Sequence, residues 1–524
     1  MSALISRFVR AIPFLVLAAG GCTQYAVIDG PSETYAQAPA TRMFATSYRF
    51  IDSQYIQSVA IGDIAADGLR ALPELDPSLA LNVDGGRIQL ASSGAILADF
   101  AAPAPNDVSG WANVTVDLID AGRLASETLR ATSPEALYEQ ILDDAISSLD
   151  RYTRYASAAD AAQDRADREG FGGVGITISA TTDEGVDVLA VLPGTPAELA
   201  GVQVADRIVA VDGESVIGLN VRDVVNRLRG PIGSQVMLTL HRGGNAGRVQ
   251  TVPVSRAYII APTVLTETEG SIAVLKLASF NVQTTQDVEQ AVIGAYARSG
   301  GNLTGLILDL RNNSGGLLDQ SIAVADLFLN SGLISTTEGR HPESRQRFVA
   351  YDGDLMAGKP IVVLVNGNTA SAAEVLVAAL QDLGRVVVVG STSFGKGVVQ
   401  TVNRLPNDGE LTLTWSALHA PSGYIFHQIG IRPNVCTSGY GSAQAALRDA
   451  NDHAASIASA MRRWRTHRLL ELDEQATLLR AECEPENDLD DIDMEVARAI
   501  LADPGLYAAL LNLAPRDFAA APQG

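Results

Sequence analysis

The stretch that decides the fold is Ile361-Val-Val-Leu-Val365, followed by Asn366-Gly-Asn-Thr-Ala-Ser371-Ala-Ala-Glu374. An apolar run rich in valine predicts a buried strand, and the small and polar residues after it predict a turn into a helix that continues through Leu380. A serine at such a turn lies at the positive end of the helix dipole, where free backbone N–H groups can bind a developing oxyanion. The stretch therefore predicts a strand–helix unit that carries a candidate nucleophile.

The same pattern of strands and helices extends on both sides of this stretch. Short apolar segments at Ile272–Leu277, Gly305–Leu310 and Val386–Val389 are typical of buried strands, and segments with helical character separate them. Alternation of this kind is typical of a sheet with helices packed on its faces. We therefore predict an α/β core from Ser271 to Val435.

The regions on either side of the core differ from it in composition. Residues 171–256 contain short β-branched runs separated by glycine and proline, which predicts a β-rich module with one short helix. Apolar residues recur at helical spacing in 44–72 and 133–149, with a β-rich stretch between them, and residues 437–524 are rich in Ala, Leu, Glu and Arg. We therefore expect helical N- and C-terminal regions.

A lysine follows the next predicted strand, in the sequence Ser393-Phe-Gly-Lys396-Gly-Val-Val-Gln400. Burial in an apolar, glycine-rich setting lowers the pKa of a lysine, so its neutral amine can accept the proton of a serine. Gln400 is a candidate for holding that amine in place. The sequence Asp309-Leu-Arg-Asn-Asn-Ser-Gly315-Gly316 places two glycines at a strand end, where backbone N–H groups can approach a reacting carbonyl.

Together these segments resemble the carboxyl-terminal processing proteases (tail-specific proteases, peptidase family S41), which are serine peptidases with a Ser–Lys dyad. The matching segments follow the order of the family: Leu149-Asp-Arg-Tyr-Thr-Arg154, Phe171-Gly-Gly-Val-Gly-Ile176, Leu310–Gly316, Asn366–Glu374, Phe394–Gln400 and Gly430-Ile-Arg-Pro-Asn434. The resemblance implies an α/β protease core of the crotonase or ClpP type, with Ser371 as nucleophile, Lys396 as general base and Gln400 orienting the lysine. It implies no metal and no organic cofactor.

The resemblance also implies an oxyanion hole made of backbone N–H groups. The family's donors fall on Ala372 and on one of the pair Gly315 and Gly316, of which Gly315 is preferred. Two positions depart from the usual pattern of the family, Ser314 in place of proline or glycine and Thr369 in place of serine. Neither departure changes the dyad.

The β-rich module resembles a PDZ domain, in which a loop of N–H groups holds the C-terminal carboxylate of a peptide. Asn220–Gly230 corresponds to the helix that lines the peptide groove, and its apolar positions favour an apolar substrate tail. The residues expected to bind the peptide are Gly173, Val174, Gly175 and Ile176 in the loop, with Val225 and Leu228 on the helix.

Two other interpretations of the chemistry remain open at this point. Gly390-Ser-Thr-Ser-Phe-Gly-Lys396 fits the start of a phosphate-binding P-loop, but Gly397 replaces the Ser or Thr that would hold Mg²⁺, and a strand-like pattern follows. A histidine base, His419 or His427, is the other alternative, because a Ser–His–Asp triad needs no fixed order along the chain. Neither histidine lies in a recognisable local motif.

Composition and charge exclude several classes of partner and site. The 524 residues include 38 Lys+Arg and 60 Asp+Glu, which gives a formal net charge of −22. An acidic chain without a basic stripe is a poor ligand for nucleic acid. Three cysteines, with no Cys/His cluster, indicate neither a disulfide scaffold nor a zinc site.

The N-terminus predicts export. Arg7 and Arg10 precede a short apolar stretch that ends in Ala19-Gly-Gly-Cys22, which suits a signal peptide and resembles the lipobox of bacterial lipoproteins. We expect lipidation of Cys22, with plain secretion as the alternative. Export would place Cys436 and Cys483 where disulfides are tolerated, and both a pair and two free thiols remain open.

The predicted function is that of an envelope endopeptidase. It would bind C-terminal tails of proteins through the PDZ domain and cleave or degrade the proteins with its dyad. The alternative is an inactive, PDZ-bearing lipoprotein that only binds peptide C-termini. We expect a periplasmic protein whose membrane contact is the N-terminal lipid. We also expect it to bind an adaptor or activator and to self-associate through its terminal helical regions.

The predicted division of the chain is signal peptide 1–21, tether 22–43, N-terminal region 44–165, PDZ domain 166–258, protease core 259–435 and C-terminal helical region 436–524.

Overall fold

A computed structural model describes residues 35–180, 183–243, 247–470, 474–487 and 491–514. The predicted signal peptide and Cys22 lie outside these residues. Among the described helices, none combines the length and the apolar character that crossing a bilayer requires.

The N-terminal region is a helical domain with a three-stranded antiparallel sheet inserted in it. Its elements are α1 (Gln37–Gln54), α2 (Ile61–Leu69), α3 (Ala71–Leu75), β1 (Leu79–Asp84), β2 (Arg87–Ser92), β3 (Ala95–Ala101), α4 (Val108–Ala125), α5 (Glu127–Ala131) and α6 (Pro134–Ile146). Helix α1 begins at Gln37, inside the segment 22–43 that was predicted to be a tether. Ala40 and Met43 are already buried in the domain core, and Pro39 lies in the first helical turn, where proline is tolerated.

A short strand and a polar helix lead from this region into the PDZ domain. They are β4 (Arg154–Ala156) and α7 (Ala158–Glu169), and the PDZ elements are β5 (Phe171–Gly173), β6 (Ile176–Ile178), β7 (Val186–Val191), α8 (Pro196–Leu199), β8 (Arg207–Val211), β9 (Glu214–Ser215), α9 (Val221–Leu228), β10 (Gln235–Arg242), β11 (Arg248–Ser255) and β12 (Ala257–Ile259). The antiparallel sheet has the order β11-β10-β8-β7-β6, which leaves β6 at an edge. Strand β12 pairs with β5, so the chain enters and leaves the domain side by side.

The protease core contains two sheets. Its elements are β13 (Val264–Glu269), β14 (Ile272–Leu277), α10 (Thr284–Arg298), β15 (Gly305–Asp309), α11 (Leu318–Asp326), β16 (Gly332–Glu338), a 3₁₀ turn (Pro342–Ser344), β17 (Gln346–Ala350), β18 (Ile361–Val365), α12 (Ala372–Asp382), β19 (Val387–Gly390), β20 (Val398–Arg404), β21 (Glu410–His419) and β22 (Val435–Cys436). The first sheet has the order β13-β14-β15-β18-β19-β22 and is parallel except for β13. Strands β15, β18 and β19 are buried along their whole length, which explains their continuous apolar runs.

The second sheet is antiparallel, with the order β17-β16-β21-β20, and β4 pairs with β21. The sequence pattern predicts a β segment after Val389, where β20 and β21 lie, but it does not predict β16 and β17. Along the chain, strands β16 and β17 lie between α11 and β18, a stretch for which the sequence predicts a helix alone. Strand β20 follows Lys396 directly, so the helix that a P-loop requires is not formed there.

The C-terminal region is helical, as predicted, and covers one face of the parallel sheet. Its helices are α13 (Ala443–Asp452), α14 (Ala454–Trp464), α15 (Glu474–Ala481), α16 (Asp491–Ala502) and α17 (Pro504–Leu511). Val496 and Ile500 of α16 belong to the same buried cluster as Ile307 and Val362 of the sheet. The structure joins Cys436 of β22 to Cys483, directly after α15, in a disulfide.

Helix α7 connects the PDZ domain to the core through charged contacts. Arg165 and Arg168 both donate to the carboxylate of Glu410 in the second sheet, at 2.8 and 3.0 Å. On the PDZ side, Asp160 of α7 pairs with Arg222 of α9. The Glu410 side chain is only 5% exposed, so the two arginines must offset the cost of burying its negative charge.

The change Glu410→Gln tests this connection. It removes the charge that both guanidinium groups face, and we expect the free energy of unfolding to fall by about 1–3 kcal/mol, as for a buried charged hydrogen bond that is lost. Urea titration followed by circular dichroism measures the change. The matched control is Asp408→Asn, whose carboxylate is 67% exposed and pairs with Arg404 on the surface. Equal losses in both variants would contradict the assignment.

Candidate active site

The turn between β18 and α12 holds Ser371 in an unusual backbone conformation. Its φ of 58° and ψ of −121° lie outside the common regions for residues with a side chain, and such strain is concentrated at functional sites. The turn is fixed from two sides. Thr369 Oγ1 donates to the carbonyl of Leu310 at 2.9 Å, and the Ala370 N–H donates to the carbonyl of Asn313 at 2.9 Å. Ser371 is therefore presented at the first turn of a fully buried helix.

A buried carboxylate links this turn to the loop of Lys396. Glu374 is 0% exposed and accepts four hydrogen bonds. One oxygen, Oε2, accepts the backbone N–H groups of Ser371 at 2.9 Å and of Lys396 at 2.7 Å. The other oxygen, Oε1, accepts the Gly395 N–H at 2.7 Å and the Ser393 hydroxyl at 2.5 Å. Burial raises the pKa of Glu374, and these four donors act in the opposite direction because they stabilise the ionised form.

The side chain of Lys396 lines the same cavity as Ser371, which has a volume of about 350 Å³. Burial lowers the pKa of Lys396 and the charge of Arg154 lowers it further, whereas Asp150 and Glu374 act to raise it. Lys396 Nζ lies 5.0 Å from the ring centroid of Tyr152. In the described part of the chain, no hydrogen bond joins this amine to the Ser371 hydroxyl.

Gln400 lines the cavity as well, from strand β20. Its Nε2 lies 3.4 Å from Thr414 Oγ1, and Thr414 donates to the carboxylate of Asp150 at 3.0 Å. Asp150 also accepts the backbone N–H groups of Tyr152 and Thr153. Gln400 is thus connected to the turn that carries Tyr152.

The two glycines proposed for the oxyanion hole differ in their hydrogen bonding. The Gly315 N–H donates to Asn313 Oδ1 at 2.9 Å, so it already has an acceptor. The Gly316 and Ala372 N–H groups have no acceptor among the described residues, and both residues line the cavity beside Ser371. The backbone at Gly315 passes so close to the nucleophile that an added Cβ would lie 2.8 Å from Ser371 Cβ.

Further residues line the cavity that were not predicted from the sequence to belong to the site. Tyr152, Arg154 and Arg168 line it. The first two belong to the Leu149–Arg154 segment, whose match to the family was a usable signal, whereas Arg168 lies on the polar helix α7 with no local motif. Glu374 was also missed, although Ser-x-x-Glu at a helix start is the pattern of a capping box.

The histidines proposed as alternative bases lie elsewhere. His427 Nδ1 accepts the Gly397 N–H at 3.2 Å, and burial lowers the pKa of His427 to about 4. His419 Nε2 lies 3.7 Å from the carboxylate of Glu338. Neither imidazole is among the residues that line the cavity of Ser371. This placement disfavours a histidine base.

The residues expected to bind a peptide lie on β5, on the loop that leads to the edge strand β6, at the start of β6 and on helix α9. Gly173 ends β5, Ile176 begins the edge strand β6, and Val174 between them is buried. Gly175 has φ +86°, and an added Cβ would lie 2.3 Å from Thr195, so the loop requires glycine there. On α9, Val225 is half-buried and Leu228 is buried within the domain core.

Comparison with known proteins places the chain in a family. A model described as Peptidase family S41 matches residues 271–437, and one described as PDZ domain matches residues 188–242. The chain is 37% identical over 315 residues to the carboxy-terminal-processing protease of Bartonella bacilliformis, covering 60% of this chain and 72% of that protein. It is 32% identical over 316 residues to the carboxy-terminal processing protease CtpA of Bacillus subtilis, covering 60% of this chain and 66% of that protein.

Among solved structures, the chain is similar to a photosystem II D1 C-terminal processing protease. The two sequences are 26% identical, the match covers 75% of this chain and 92% of that one, and the TM-score is 0.38. The family assignment comes from the sequence relatives and the two family models, and the strand–turn–helix unit around Ser371 lies within the matched range. The chain belongs to peptidase family S41 and is a carboxy-terminal processing serine protease with a PDZ domain.

Proposed function

We propose that the chain is a serine endopeptidase in which Ser371 and Lys396 form a catalytic dyad. One observation carries the proposal. Both residues line a single cavity, and the backbone N–H groups of both donate to the same oxygen of Glu374. Two segments that are separated by 25 positions are thereby held together at the residues that would react.

In the proposed reaction, the neutral amine of Lys396 takes the proton of the Ser371 hydroxyl as Oγ attacks the carbonyl carbon of the scissile peptide. The tetrahedral oxyanion accepts hydrogen bonds from the N–H groups of Gly316 and Ala372. The intermediate collapses to an acyl-enzyme, and the Lys396 ammonium gives its proton to the departing amine. Water then loses a proton to Lys396 and attacks the ester. As the new C-terminus is released, the Lys396 ammonium returns that proton to Ser371 Oγ, and Gln400 orients the amine throughout.

We assign Gly316, rather than Gly315, as the second oxyanion donor. The Gly315 N–H would have to give up Asn313 Oδ1 before it could bind an oxyanion, and this exchange costs a buried hydrogen bond. The Gly316 N–H has no competing acceptor in the described part of the chain. Its position beside Ser371 in the cavity supports the same assignment.

The PDZ domain is proposed to capture the free C-terminus of a protein substrate. Strand β6 is at the edge of its sheet and is open to an added strand. Val221, which is 41% exposed, and the half-buried Val225 give the neighbouring helix α9 an apolar surface. We therefore infer a preference for substrates with apolar C-terminal residues.

The cellular setting belongs to the same proposal. The predicted signal peptide and the lipobox-like sequence that ends at Cys22 support a protein of the bacterial cell envelope, anchored by lipid on the periplasmic side. Its substrates would be envelope proteins. The helical N- and C-terminal regions are the candidates for self-association and for binding an adaptor or activator.

The dyad is tested with a quenched fluorescent peptide that ends in Leu-Val-Val. We expect cleavage by the wild-type protein and at least about a thousandfold lower kcat for Ser371→Ala and for Lys396→Ala, because each change removes a group that the chemical step requires. A matched peptide that ends in Asp-Asp-Asp should have a higher KM. Equal cleavage by wild type and variants would refute the dyad, and binding of the tail without cleavage by any of them would favour the binding-only alternative.

The pH dependence of kcat tests the role of the lysine. A general base must be neutral, so activity is low below the pKa of Lys396 and rises with pH through it. Because burial and Arg154 lower that pKa, the midpoint should lie below the ordinary lysine value of about 10.4. Arg154→Gln removes one of the lowering influences and should move the midpoint upward. A midpoint near 6.5 that Arg154→Gln leaves unchanged would point to a histidine instead.

Glu374→Gln tests the carboxylate that joins the two catalytic loops. An amide of the same shape presents an NH₂ group to donors that need an acceptor, so at least one buried hydrogen bond is lost. We expect the free energy of unfolding to fall by about 1–3 kcal/mol and kcat to fall with it. Chemical denaturation and peptide cleavage measure the two effects. The control is Glu338→Gln, whose carboxylate is 73% exposed, and an equal response there would contradict the assignment.

A further inference from the structure

A short segment of the C-terminal region contacts both catalytic loops. Residues 480–487 run from the end of α15 past the disulfide cysteine Cys483, and we call them the C-terminal clasp. The segment is about 85 positions beyond Lys396 in the sequence, and the family model ends at residue 437, before it begins. Its contacts with the loops are made by one guanidinium group and by backbone groups.

The first contact is with the loop of Lys396. Arg480 Nη1 lies within hydrogen-bond distance of three backbone carbonyls, those of Ser393 at 3.2 Å, Phe394 at 3.4 Å and Gln428 at 3.1 Å. The N–H groups that follow in this loop, at Gly395 and Lys396, donate to Glu374. The loop is therefore held by a cation on its carbonyl side and by an anion on its N–H side.

Arg480 and Glu374 also interact through their charges. Burial lowers the pKa of Arg480, and the negative charge of Glu374 acts to raise it. A buried carboxylate is costly without a nearby positive charge. Arg480 thus supplies part of the compensation for the carboxylate that joins the two catalytic loops.

The second contact is with the turn of Ser371. The carbonyl of Glu486 accepts the Gly367 N–H at 2.6 Å. The N–H of the same residue donates to Ser391 Oγ at 3.0 Å, at the start of the Lys396 loop, so Glu486 contacts both loops. The carbonyl of Asn487 accepts from the side-chain amide of Asn366 at 3.3 Å. The approach at Gly367 is so close that an added Cβ would lie 2.5 Å from Asn487 Oδ1.

The disulfide attaches the clasp to the sheet that carries both loops. Cys483 is bonded to Cys436 on β22, which pairs with β19, the strand that leads into the Lys396 loop. Both cysteines line a cavity of about 260 Å³. The other described contacts between the clasp and the two loops are hydrogen bonds. If the disulfide is reduced, these hydrogen bonds alone hold the clasp in place among the described contacts.

We propose that the C-terminal clasp is a positioning element of the Ser371–Lys396 site, that Arg480 is its principal residue, and that the Cys436–Cys483 disulfide keeps it in place. The proposal rests on the proposed function, because it assumes that these two loops carry the chemistry. Reduction of the disulfide releases the clasp and lowers activity. With dithiothreitol, two electrons and two protons pass to the disulfide to give two thiols, and the reagent closes to its own cyclic disulfide.

Kinetics of single variants test the role of Arg480. We expect Arg480→Ala to lower kcat by about 10- to 100-fold, as for a misplaced catalytic group, with KM changed less than about twofold. Arg480→Lys keeps the charge and should recover part of the loss. The control is Arg463→Ala, which removes a guanidinium that is 51% exposed and pairs with Glu482 of the clasp, away from the loops. A kcat for Arg480→Ala equal to that of the control, or a loss that appears only in KM, would overturn the proposal.

Hydrogen exchange tests the disulfide independently of catalysis. Amide hydrogen exchange of the full-length protein is measured before and after treatment with dithiothreitol, and alkylation counts the thiols that are formed. The double variant Cys436→Ser, Cys483→Ser is the control, because it has no disulfide for the reagent to reduce. We expect exchange at least about tenfold faster in residues 366–371 and 391–397 of the reduced protein, with β8 of the PDZ domain unchanged. Unchanged exchange in both segments of the reduced protein would overturn the proposal. Cleavage by Ser371→Ala equal to wild type would instead refute the dyad, whatever the exchange shows.

Discussion

The arrangement of the site depends on one buried carboxylate. Glu374 is in the first turn of α12, where the helix dipole and free N–H groups favour a negative charge. Its four hydrogen bonds come from Ser371 and from three residues of the loop before β20. A neutral side chain could not accept all four. The carboxylate therefore fixes the distance between two strand ends of one sheet, and with it the separation of the nucleophile from the proposed base.

Opposing influences act on the amine of that base. Burial and the positive charge of Arg154 favour the neutral form of Lys396, whereas Asp150 and Glu374 favour the charged form. The ring of Tyr152, 5.0 Å from Nζ, also favours the charged form, because a cation is attracted to the face of an aromatic ring. The net effect lowers the pKa of Lys396 from its ordinary value, which is the direction that a general base requires.

Local signals in the sequence were sufficient to predict the parts of the fold that carry the chemistry. The apolar run before Ser371 and the strand-like pattern after Lys396 each identify an element without reference to the rest of the chain. Strands β16 and β17 of the second sheet could not be predicted in this way, because both are half-buried and their place in the sheet depends on the pairing of β16 with the distant strand β21. The roles of individual side chains were also out of reach. The N–H of Gly315 is occupied only because the side chain of Asn313 turns back onto it, and Arg480 reaches the Lys396 loop from a different region of the chain.

The net charge of the chain gives no indication of the charge at the site. A surplus of acidic residues makes the whole molecule negative, at −22, yet Arg154, Arg168 and Lys396 line the cavity of Ser371 together. Neighbouring positive charges disfavour a further one, so Arg154 adds to the effect of burial in lowering the pKa of Lys396. Glu410 forms an ion pair with Arg168, and Asp164 forms one with Arg154. Neither carboxylate lines the cavity. The acidic partners of the two arginines therefore lie outside the cavity, whose lining contains three cationic side chains and no carboxylate among the described residues.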